Sequence, residues 1–148
     1  MVESPAWSVT GVVAAPPATV WAVLLTMVPE LAGLSPDALI DLEAPRTFAV
    51  LLGQPPVSMT HVEVDPVRRE VSQQGGWWYR GAVAVTPHAN GSEVTRSITN
   101  VASPATGWLV RFVHRHDERA FRAAHEALLR GLAGRLACGW SLSPPPAR

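Results

Sequence analysis

At 148 residues with a single cysteine, Cys138, the chain suits one domain and excludes both an intrachain disulfide and a zinc site built on several cysteines. Twelve acidic residues balance twelve basic ones, so no long-range field draws the chain to nucleic acid or an anionic membrane. Hydrophobic residues make up 47% and charged residues only 16%, an imbalance that implies a large apolar interior, an apolar cavity or a homodimer face.

In chain order, Trp7-Ser8-Val9-Thr10-Gly11-Val12-Val13 alternates and is rich in β-branched residues, which predicts a strand. Pro16 and Pro17 end it and open a short helix on Val20, Val23, Leu24 and Met27, which Pro29 is expected to break. Glu30 to Leu34 adds a second short turn of helix, and Ser35-Pro36-Asp37 is a turn signal. Six strand candidates follow: Ala38 to Glu43, Thr47 to Leu52, Val57 to Val64, Arg69 to Gln74, Trp77 to Thr86 and Glu93 to Val101. The last two are joined through Asn90-Gly91, a hairpin signal because both residues tolerate positive φ. Ser103-Pro104 resembles a helix start, and from there to about Leu136 the chain is helix-compatible, with a break near His116-Asp117. Phe121, Leu128 and Leu132 form its apolar stripe, with Ala120 and Ala124 beside it. A single domain over residues 1–140 and a disordered, proline-rich tail over 141–148 complete the expectation. The order describes an α+β fold: a curved seven-stranded antiparallel sheet wrapped around one long C-terminal helix, with two short helices after the first strand. No apolar run approaches the roughly 20 residues of a membrane span. The N-terminus shows no basic start followed by an apolar core, so the expected location is cytoplasmic.

Three segments resemble the SRPBCC helix-grip superfamily, which includes START domains, pollen-allergen-type ligand carriers and polyketide cyclases/dehydratases. They are Ala15-Pro16-Pro17-Ala18-Thr19-Val20-Trp21, the turn Val64-Asp65-Pro66-Val67-Arg68-Arg69, and Val83-Ala84-Val85-Thr86-Pro87 leading through Asn90-Gly91-Ser92 into Glu93-Val94-Thr95. The resemblance runs from about Trp7 to Leu136 and implies the helix-grip fold and a ligand cavity. It does not imply a reaction, because this family shares a cavity and not a chemistry.

Alternation assigns the cavity face. In the Trp77 strand the odd positions Trp77, Tyr79, Gly81, Val83 and Val85 point inward, unless a bulge at Gly75-Gly76 exchanges the sets at its start and brings in Trp78 and Arg80 instead. In the last strand the even positions Val94, Arg96, Ile98 and Asn100 point inward. Arg96, between two aliphatic residues, is either a structural ion pair or a planar cation that orients a ligand carboxylate, phenolate or polarised carbonyl. Tyr79, the only tyrosine, is either a hydrogen-bonded wall residue or a weak general acid. The candidate catalytic pair is Arg96 and Tyr79. Trp77, Val83, Val94, Ile98, Asn100, Phe112 and Phe121 are the candidate ligand-binding residues. The absence of lysine closes Schiff-base chemistry. His114 and His116, two apart on a helix, do not share a metal; His61 is expected to face outward and His125 to be a satisfied core histidine. No metal and no cofactor are expected.

Two functions remain open at this level, with a protein-interaction module a weaker third. One is a cyclase/dehydratase-type enzyme whose cavity folds an aromatic or polyketide-like substrate and excludes water. The other is a non-catalytic carrier for a lipid or hydrophobic metabolite.

Overall fold

In the computed structural model, residues 7–32, 39, 42–52, 58–75, 79–100 and 118–144 are described. The first strand, β1 (Trp7–Val13), buries Val9, Gly11 and Val13 on one face, as its alternation requires. The chain then turns through Ala14 to Pro16: the Ala15 N–H donates to Val13 O at 2.8 Å, and Ser92 Oγ donates to Ala15 O at 2.6 Å. Pro16 supplies the first helical carbonyl, accepting from Val20 N–H at 3.0 Å. Pro17 occupies the first turn of α1 (Pro17–Ala32), where its missing N–H costs nothing. The helix runs through Pro29 instead of breaking there, so one helix stands where two short ones were expected. Pro29 lies only three residues before its end, where one lost backbone bond is tolerated more easily than in mid-helix.

Five antiparallel strands follow: β2 (Arg46–Leu52), β3 (Ser58–Asp65), β4 (Glu70–Gly75), β5 (Tyr79–His88) and β6 (Gly91–Asn100). The strand expected over Ala38 to Glu43 is absent at Leu42 and Glu43; Leu39 is buried and Leu42 packs against the core, a spacing of three that does not suit strand alternation. The seventh strand comes from the other end of the chain. After α2 (Glu118–Leu136), β7 (Trp140–Leu142) pairs with β1, giving the sheet order β2-β3-β4-β5-β6-β1-β7. The tail expected to be disordered from Ser141 is therefore ordered at its start. Ser143 N–H donates to Thr10 O at 2.8 Å, and Arg122 donates to the Ser143 carbonyl.

The turns explain the sequence signals. Between β3 and β4, Asp65 Oδ1 accepts the N–H groups of Val67 and Arg68, each at 3.0 Å, closing the Asp-Pro turn; Arg69 then takes a positive φ of 51°. At the β5–β6 hairpin, Ala89 and Asn90 form the two-residue turn and His88 pairs with Gly91. Gly91 has φ 132°, and a Cβ there would lie 2.4 Å from Val13 O, so only glycine fits. At the end of α2, Ala137 adopts φ 51° and Cys138 N–H reaches back to Ala133 O at 3.1 Å, a left-handed cap.

The core lies between the concave sheet face and the two helices. Leu129 and Leu132 of α2 are fully buried, as are Val20 of α1, Val13 of β1 and Val94 of β6. Each such side chain contributes roughly 1.5–3 kcal/mol by leaving water. At Gly11 the helix comes close to β1: a Cβ there would sit 2.2 Å from Leu129 Cδ1. The helix lies directly on β1 because that position has no side chain. Among the described residues no helix is long and apolar enough to cross a membrane.

Candidate functional site

The helices and sheet do not close everywhere. Between the sheet and the two helices, beside the middle of α2, a cavity of about 440 Å³ remains. On the helix side its wall is Leu24 and Met27 of α1 with Ala124, Ala127 and Leu128 of α2. Ala124 and Ala127 are too short to reach the strands, so the space they leave stays open. On the sheet side the wall is Val62 of β3, Val71, Ser72 and Gln73 of β4, Gly81, Ala82 and Val83 of β5, and Arg96 of β6.

Register explains why these strand residues meet. Val71 pairs with Val83, and Val83 pairs with Arg96. On the other side Arg96 pairs with Val9 of β1, which is buried. Arg96 is therefore a half-buried cation in an aliphatic row, with its guanidinium carbon 5.8 Å from the centre of the Phe121 ring. One helical turn on from Phe121, His125 is fully buried, and its Nε2 donates to Val94 O at 2.9 Å. The Nδ1 atom has no hydrogen-bond partner among the described residues and is the unprotonated nitrogen of the neutral ring. Burial lowers the His125 pKa from 6.5 to about 4; the positive charges of Arg96 and Arg122 act in the same direction, and the bond to Val94 opposes them. The core histidine expected from the sequence is thus satisfied at one nitrogen and bare at the other.

Of the candidate residues, Arg96 and Val83 line the cavity. Val94 is fully buried on the same face but is covered by α2, so it belongs to the core and not to the wall. Phe121 is buried against Arg96 without lining the cavity, and Ile98 is half-buried beyond it. Tyr79 and Asn100 are register partners at the far ends of β5 and β6. Trp77, Trp78 and Phe112 lie outside the described residues, as do His114 and His116. His61 is exposed, as expected. No group of three or more His, Cys, Asp or Glu side chains among the described residues is placed to hold a metal ion.

The contributions of α1, β3 and β4 to the wall were not foreseen. The alternation of Val62 and Val64 with exposed His61 and Glu63 marked the inward face of β3. Of the two alanines expected beside the α2 stripe, Ala124 lines the cavity and Ala120 does not; Ala127 joins the wall instead. Chemically, the described wall offers one cation and two neutral polar residues, Ser72 and Gln73, on an otherwise apolar surface.

A family model described as polyketide cyclase / dehydrase and lipid transport matches residues 6–137. Among solved structures, the chain is similar to the Zhui aromatase/cyclase of a Streptomyces species, at 16% identity over 91% of this chain and 94% of that one, with a TM-score of 0.48. It is also similar to a Thermus thermophilus protein, at 19% identity over 88% and 97% of the two chains and a TM-score of 0.47. A truncated norcoclaurine synthase from Thalictrum flavum matches at 16% identity over 88% and 96%, with a TM-score of 0.45. No curated protein sequence matches the chain.

Proposed function

The chain belongs to the polyketide cyclase / dehydrase and lipid transport family, and on that premise we propose that it binds a small hydrophobic or aromatic molecule in its cavity, as a cyclase/dehydratase-type enzyme. The observation that carries the reading is the cavity of about 440 Å³ with an apolar wall and Arg96 at one side. That volume falls within the range of small-molecule sites, roughly 300–1,000 Å³. In this scheme the wall holds a flexible substrate in a folded conformation and excludes water. Arg96 draws electron density from a ligand oxygen, and Tyr79 serves as the hydroxyl donor.

One specific observation supports a second reading, a non-catalytic carrier for a lipid or hydrophobic metabolite. No carboxylate, histidine or cysteine is among the described wall residues, so a proton acceptor is lacking there. Mass spectrometry of freshly purified protein, under native and then denaturing conditions, tests the shared premise. An apolar or aromatic compound released from the protein is the expected result, and it defines the substrate class to assay. If that compound is converted by the wild type and more slowly by Arg96→Met and Tyr79→Phe, the enzyme reading stands. Recovery unchanged from wild type leaves the carrier.

A further inference from the structure

We propose that the occupant of this cavity is a monoanion, an apolar body bearing one negatively charged oxygen group, carboxylate or enolate, seated against Arg96. This rests on the ligand-binding reading above and names the charge of the ligand that the site selects.

Four other arginines have partners of a kind that no described residue offers Arg96. Arg68 lies 3.8 Å from Asp65, and Arg130 lies 3.0 Å from Glu126. Arg122 donates to the Ser143 carbonyl and Arg135 to Thr26 Oγ1 at 3.0 Å. Arg96, among the described residues, meets only the face of the Phe121 ring. It is flanked in register by Val83 and Val9, and no aspartate or glutamate is among the described wall residues. Its neighbour on α2, His125, stays neutral around pH 7 under the positive charges of Arg96 and Arg122, so among the described residues nothing negative balances the guanidinium at that end of the cavity. A guanidinium partly removed from water is stabilised far more by an anion than by a neutral oxygen, because the local dielectric is low. Its planar fork also matches a carboxylate through two parallel bonds.

The test is calorimetric titration of the full-length protein, at pH 7.5, with 2-naphthoic acid and with 2-naphthamide. The two share an apolar body and differ in charge. The acid is expected to bind about tenfold more tightly than the amide, a difference typical of a charge-assisted over a neutral hydrogen bond. In Arg96→Met, and in Arg96→Gln should the first variant fail to fold by circular dichroism, that advantage is expected to vanish while the amide still binds. Equal binding of acid and amide by the wild type, or an advantage that survives in the folded variant, overturns the inference and leaves a neutral-ligand site. Binding of neither compound overturns both the inference and the ligand-binding reading beneath it.

Discussion

The two halves of α2 meet the same sheet in opposite ways. Toward its C-terminus, Leu129, Leu132 and Ala133 are buried with almost no exposure, and Gly11 lets Leu129 approach the backbone of β1. Toward its N-terminus Phe121 and His125 are buried against β6, but beside them Ala124 and Ala127 line a cavity of about 440 Å³ left between helix and strands. The contrast teaches that one helix can both hold the fold together and leave room for a guest. Side-chain size along two turns of helix accomplishes this, with no departure from regular helical geometry.

The largest expected effect lies in the packed half. Leu129→Ala removes a fully buried side chain from the α2–β1 contact and should lower stability by about 3–4 kcal/mol in urea titration. A loss under 1 kcal/mol would mean that this end of the helix is not the anchor. Next in size is a pH effect at the boundary between the halves. His125 is neutral when folded and titrates at about 4, against 6.5 in the unfolded chain, so the unfolded state takes up the proton first as pH falls. The stability it supports is complete above 6.5 and is lost between 6.5 and 4, roughly 3 kcal/mol in total. Stability measured at several pH values should show this slope in the wild type and a flatter profile in His125→Gln.

A matched pair of smaller changes addresses the comparison itself. Ala133→Leu crowds the packed half and should destabilise by about 1–3 kcal/mol. Ala127→Leu extends into open space and should change stability by less than about 1 kcal/mol while weakening small-molecule binding. Equal destabilisation by both would erase the distinction. The smallest effect belongs to the surface. Arg130 and Glu126 are 3.0 Å apart with side chains 65% and 42% exposed, and Glu126→Ala, which removes that pair but leaves Arg130 over the Trp140 ring, should cost no more than about 0.5 kcal/mol.

Much of the fold was legible in the residues. Asp65-Pro66 marks its turn by local chemistry, Asn90-Gly91 marks the hairpin one residue late because only Gly91 takes a positive φ, and the valines of β1 and β3 alternate as half-buried strands must. The seven-stranded sheet was foreseen with one strand taken from the wrong place. Ala38 to Glu43 contains strand-forming residues, whereas Trp140–Leu142 becomes a strand only because β1 offers it an edge. Three residues carry no local signal strong enough to show that. The site was half legible for the same reason. Alternation places Arg96 and Val83 on one face, and the register confirms that they are partners. The wall contributed by Leu24, Met27, Val71 and Gln73 depends on how α1 lies over distant strands, and no local pattern records that arrangement.

The most direct measurement of the central claim is methyl NMR of the full-length protein during titration with 2-naphthoic acid, whose ring currents shift nearby methyl signals. The methyls of Met27, Val62 and Val83, which line the cavity, should move together and saturate, while those of Val13 and Leu132 in the packed half stay in place. Saturating shifts confined to other parts of the molecule, or none at all, would contradict the account.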